Sequence, residues 1–208
     1  MKMLRSVLAS AVFALSAGIA GVAVAADKDD KNDKPASINL VYNGVAVQNA
    51  RPLPTDKAFT DWCRSTTGAC FPTVQQPVYD MATGQKKGVV YVWGAFPFHA
   101  TTTYPAALCF SEFMVFALND GDITVHTGPD GTCGAFMDPT IKPPLAAFPL
   151  ATAVVAGGGD GVISGGTGRY KKWTGTFTDR VFVGFGAPTS GVGGIIYYDQ
   201  LIFSISGK

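Results

Sequence analysis

The sequence predicts an all-β domain closed as an antiparallel barrel, and three observations carry that expectation. After the first 26 residues the apolar side chains keep the two-residue or continuous period of strands, and no segment holds a sustained helical stripe. Glycine is abundant, at 25 residues, among many β-branched and aromatic side chains. Turn chemistry separates the runs, most clearly at Asn119-Asp120-Gly121, which reads as a hairpin between two β-rich stretches. Roughly seven to nine strands are expected between Ile38 and Ser206, a usual size for such domains.

Residues 1–26 read as an export leader rather than as part of the fold. Lys2 and Arg5 form a basic start, residues 7–22 are apolar and small, and Ala23-Val24-Ala25 supplies an A-x-A cleavage signal. The stretch is too short and too rich in Ala and Gly for a membrane span. A periplasmic or secreted location follows, with no membrane association after cleavage. Residues 27–37 begin DKDDKNDK, without an apolar side chain, and read as a solvated leader to a barrel domain at 38–208. The cleaved chain has one more acidic than basic residue. That balance argues against nucleic acid and anionic membranes, which need a concentrated positive face.

The expected strands are 38–47, 89–96, 108–118, 122–127, 151–156, 161–164, 175–185 and 194–206. Two stretches fit a plain barrel less well. Residues 48–76 hold Pro52, Pro54 and Pro72 and a short helical turn near 56–62. Residues 128–149 hold five prolines. Loops of this length often serve as lids or binding loops, so both are expected over one mouth of the barrel, or as surface excursions held by disulfides. Gly157-Gly158-Gly159-Asp160-Gly161 reads as a flexible turn, since one copy cannot build a calcium-binding roll.

The four cysteines, Cys63, Cys70, Cys109 and Cys133, read as disulfides in an exported chain. Three pairings are open; Cys63–Cys70 with Cys109–Cys133 is the expected one. No C-x-x-C occurs and neither histidine is spaced for a shared metal, so no metal site is expected.

Gly165-Gly166-Thr167-Gly168-Arg169-Tyr170, followed through Trp173-Thr174-Gly175-Thr176-Phe177, resembles the GGTGRF/Y corner of the allene oxide cyclase and dirigent protein superfamily. The resemblance is specific over about 162–177. It implies a calycin-like barrel that binds a hydrophobic or aromatic small molecule and guides its cyclisation or stereoselective coupling. It also implies no redox cofactor and a cofactor-independent isomerase, if an enzyme. The disulfides, the proline-rich insertion and the leader depart from those families, and no catalytic residue carries over. A non-catalytic ligand-binding or structural barrel is the alternative, and either admits a homo-oligomer.

No nucleophile elbow, Walker A loop or H-E-x-x-H occurs. Of the two histidines, His126 falls mid-strand on the face opposite Ile123 and Val125, whereas His99 follows a strand end where a mouth should lie. His99 is thus a candidate acid or base. Glu112 is the stronger one. Strand period groups it with Leu108, Phe110, Met114 and Phe116, and a carboxyl among such neighbours either enters a ligand cavity with a raised pKa or pairs with a cation such as Arg180. Tyr197, Asp199 and Leu201 share one face of the last strand, opposite Tyr198, Gln200 and Ile202. Asp199 and Tyr197, with Tyr91, Trp93, Phe110 and Met114, are the expected wall of an apolar pocket with few polar contacts.

Overall fold

The computed structural model describes residues 36–66, 68–99, 108–137, 153–185 and 196–208, with backbone only at 96–99, 108 and 196–198. The leader, the charged 27–34 stretch and the prolines of 139–149 lie outside the described residues. Eight antiparallel strands close into a barrel in simple sequence order. They are β1 (Ala36–Val45), β2 (Cys70–Asp80), β3 (Lys86–His99), β4 (Leu108–Leu118), β5 (Gly121–Phe136), β6 (Ala153–Gly166), β7 (Gly175–Phe185) and β8 (Ile196–Gly207). β1 pairs with β8 from Ala36↔Gly207 to Val45↔Tyr198, which closes the ring and removes its edges.

One end is tied by the glycine-rich corner. Gly168 takes φ +53°, and a Cβ there would stand 2.5 Å from the Asp120 carbonyl oxygen, so only glycine fits without strain. A single 3₁₀ turn, Gly168–Tyr170, follows. Arg169 N donates to Asp120 O at 3.0 Å, and the Tyr170 hydroxyl donates to Asp120 Oδ1 at 2.7 Å. Removal from water, then the Asp120 carboxylate, push that phenol up to about 12. The corner between β6 and β7 therefore locks onto the Asn119-Asp120-Gly121 turn between β4 and β5. Inside, Leu40, Val78, Val90, Phe116, Ile123, Val125, Phe177, Phe203 and Ile205 are almost wholly buried. Phe116 and Phe203 meet edge-on across the lumen at 5.0 Å.

Three expectations are corrected. The 48–76 stretch is not all loop, because Cys70–Asp80 forms β2 despite Pro72 and Pro77. β2 pairs with β1 only at Leu40↔Asp80 and Val41↔Tyr79, plus the isolated Gln48↔Val74 bridge. That sparse ladder leaves places where a missing N–H does no harm. The 128–149 stretch likewise begins as strand, with β5 continuing to Phe136. Finally, 157–161 is no turn: β6 runs through it in one piece. Its glycines are a packing requirement, since a Cβ on Gly161 would fall 2.1 Å from His126 O and 2.2 Å from the Phe177 ring.

The segment between β1 and β2 carries α1 (Lys57–Ser65). Asp56 caps it, accepting from Phe59 N at 3.0 Å. Phe59 and Trp62, one turn apart, bury one face. This face rests on Trp93 and Phe113, with edge-on contacts of Phe59 to Phe113 at 5.1 Å and to Trp93 at 6.1 Å. Trp93 and Phe113 are register partners that alternate with the interior Val92 and Met114. The helix therefore pads the outer wall of β3 and β4. Cys63–Cys70 ties its last turn to the first residue of β2, and Cys109–Cys133 joins directly opposed residues of β4 and β5. These are the expected pairings, and two disulfides suit an oxidising compartment. No helix among the described residues is long and apolar enough to cross a membrane.

Candidate functional site

Above the apolar layer, toward the end opposite the glycine corner, five polar side chains cross the lumen. They are Gln76 of β2, Glu112 of β4, Thr132 of β5, Asp179 of β7 and Asp199 of β8, all buried. Glu112, at 7 % exposure, is the most accessible of the carboxyls.

A bulge in β5 builds the centre. The β4–β5 register slips between Phe110 and Phe113, and the β5–β6 register slips between Thr127 and Thr132. The intervening Gly128-Pro129-Asp130-Gly131 leaves the ladder, with Pro129 and Asp130 exposed and Gly131 at φ +76°. Thr127 and Thr132 on either side of it both turn onto Glu112. The Glu112 N–H donates to Thr127 Oγ1 at 2.9 Å, while Thr132 Oγ1 makes a short contact with Glu112 Oε2. Thr132 Oγ1 also lies 3.2 Å from Asp179 Oδ2, and Gly159 N donates to Asp179 Oδ1. On β6 only a glycine can approach this way. A Cβ on residue 159 would stand 2.9 Å from Thr132 Oγ1.

The proton count in this chain is decisive. A threonine hydroxyl has one hydrogen and can donate to only one of two carboxylates. Both contacts are hydrogen bonds only if one carboxyl is protonated and donates to Thr132 Oγ1, while the hydroxyl donates onward. Burial pushes Glu112 well above the usual carboxylate range; Asp179 and, more weakly, Asp199 add to the effect, and Thr132 opposes it. Burial also raises Asp179, but the Gly159 N–H and Thr132 hold it to about 6. Burial thus favours the neutral form at Glu112, and two carboxyls joined through one hydroxyl can hold a single proton between them. Such a chain can give up a proton at one carboxyl and accept it back through Thr132.

Asp199 stands apart. Burial raises it to about 7, opposed by the Gln76 amide, whose Nε2 donates to Asp199 Oδ2 at 3.2 Å. Gln76 is fully buried, and its Oε1 has no hydrogen-bond partner.

The expected site residues divide. Glu112, Met114 and Asp199 face the interior, and Phe110 is half-buried beside Thr132 on the β4–β5 ladder. Tyr91 and Trp93 do not line the lumen. Strand alternation turns them outward beneath the segment carrying α1, where Arg51 stacks on Tyr91 at 3.4 Å from the ring centre. His99 and Tyr197 have side chains outside the described residues. Glu112 has no pairing with Arg180, which is exposed and donates to the Asp179 carbonyl oxygen. Two surface depressions, of about 640 and 450 Å³, lie by the glycine corner and outside the β5 bulge; neither is lined by Glu112 or Asp199.

Sequence reasoning missed Asp179, Thr132 and Gln76. Asp179 shares a strand face with Phe177 and Val181, the same signal that marked Glu112. Thr132 becomes visible only once the bulge is known. Comparison with protein families, with curated proteins and with solved structures returned no match.

Proposed function

We propose that the protein is an exported barrel that binds a hydrophobic or aromatic small molecule and guides its cyclisation or stereoselective coupling, with Glu112 as proton donor. The supporting observation is the hydrogen-bonded chain Glu112–Thr132–Asp179, in which burial favours the neutral form of Glu112 and a second carboxyl stands one hydroxyl away. Structural residues rarely need that arrangement, because an unpaired buried carboxyl costs stability. The two disulfides favour export, and the glycine corner resembles that of allene oxide cyclases and dirigent proteins. In this reading the barrel restrains the ligand in a reactive conformation, and Glu112 donates to an oxygen that gains negative charge.

The test is native mass spectrometry of protein purified from the periplasm, followed by the same measurement on Glu112→Gln. A small apolar ligand on the wild type, and its loss or altered conversion in a well-folded variant, is the expected result. A ligand-free protein that also ignores added apolar compounds would remove the reading. It would leave a solid structural barrel, which the close-packed side chains between Leu40 and Ile205 favour.

A further inference from the structure

Among the described residues, Gln76 and Asp199 form a buried site with more acceptors than donors. Gln76 Nε2 is used on Asp199, which leaves Oε1 in a fully dry position without a partner. Buried polar atoms in native proteins are almost always satisfied, so this oxygen calls for a donor that the described residues do not supply. Asp199 beside it is an acid with 2 % exposure, and Gln76 is its one hydrogen-bond partner among the described contacts. Its surroundings hold further acids: Glu112 on β4 and Asp179 on β7. β1 contributes Tyr42, whose hydroxyl donates to Val45 O at 2.7 Å. The nearest cationic side chain on these strands, Arg180, is exposed and spent on a backbone carbonyl.

From this geometry we propose that the ligand carries a protonated amine, which docks between Gln76 Oε1 and the Asp199 carboxylate. The inference rests on the small-molecule reading and names the polar end of that molecule. Donor number favours an ammonium over a hydroxyl: it offers three hydrogens to a group of acceptors, where a hydroxyl offers one. Charge favours it too, because a buried carboxylate without a counter-ion is costly and an ammonium supplies one. A shared metal ion fits less well, since no three acidic, histidine or cysteine side chains among the described residues are placed to hold one.

Docking a cation beside Asp199 requires that carboxyl to be ionised, so amine binding releases a proton whenever Asp199 is protonated beforehand. Affinity for the amine should therefore rise as pH increases through about 7, the value to which burial raises Asp199. An alcohol of equal length carries no such dependence. The experiment is calorimetric titration of the disulfide-bonded protein with 1-hexylamine and with 1-hexanol, between pH 5.5 and 8.5, on the order of one Asp199 titration. Expected at the upper pH is about a tenfold preference for the amine, which is one ion-paired hydrogen bond in affinity terms. That preference should shrink at the lower pH, disappear in Asp199→Asn and weaken in Gln76→Met, with melting curves checking that both variants fold. Equal binding of amine and alcohol in the wild type at every pH overturns the inference and leaves an apolar-ligand barrel standing. No binding of either compound overturns both readings and assigns Gln76 Oε1 to a buried water.

Discussion

Replacing Asp199 with asparagine should stabilise the barrel at alkaline pH and leave it unchanged in acid. In the folded chain this carboxyl is raised from 3.8 to about 7 by burial, so the folded state keeps a proton that the unfolded chain has already released. The folded form then binds more protons across that window, and stability falls as pH rises through it. A shift of about three units corresponds to a destabilisation of about 4 kcal/mol, absent near pH 4 and complete above about pH 7. Asparagine is neutral throughout and can still accept the Gln76 Nε2 hydrogen through its own amide oxygen. Urea unfolding of both proteins from pH 4 to pH 8.5, on the order of that window, should show curves that coincide in acid and separate progressively. A separation approaching 4 kcal/mol would be a large fraction of the stability of a typical domain. A constant offset at every pH would refute the reasoning, because it would mean that Asp199 titrates alike in both states.

Three further outcomes are expected. Thr132→Val removes the hydroxyl between Glu112 and Asp179 and should cost about 1–3 kcal/mol at neutral pH; an unchanged urea midpoint would show that the bridge contributes nothing. Gly168→Val should lower folding yield and melting temperature, since a β-branched residue resists φ +53° and its Cβ would press on Asp120 O. Reduction of Cys63–Cys70 and Cys109–Cys133 should together cost a few kcal/mol, read as a shift in thermal midpoint with added reductant; identical melting curves would contradict it.

The barrel was legible because most of its strands announce themselves. Glu112, Met114 and Phe116 share the inward face that strand period assigns them, and the turn at Asn119-Asp120-Gly121 falls where the chain reverses. β2 was not legible, as Pro72 and Pro77 argue against a strand unless its neighbour is known to pair sparsely. Nor was the continuity of β6, because Gly157-Gly158-Gly159-Asp160-Gly161 has turn composition. Its inward glycines make room for Thr132 and Phe177, side chains from other strands that no local pattern reveals. Two of the five site residues followed from single strands: Glu112 and Asp199 each interrupt an apolar face. The pairing of Glu112 with Asp179 did not, for it depends on a bulge that turns Thr132 between strands distant in sequence. The outward course of Tyr91 and Trp93 depended on which face α1 would cover, and strand period alone is symmetric between the two.

The central claim is that burial favours the neutral form of Glu112, which shares a proton through Thr132 with Asp179. Carbon-13 NMR of protein labelled at the glutamate side-chain carboxyl, titrated in the folded form, measures this directly, because Glu112 is the one glutamate of the sequence. Its carboxyl signal should titrate well above the ordinary glutamate value of 4.5. A Glu112 signal that titrates near 4.5 would show the carboxylate to be ionised and solvated, and the proton chain would not exist.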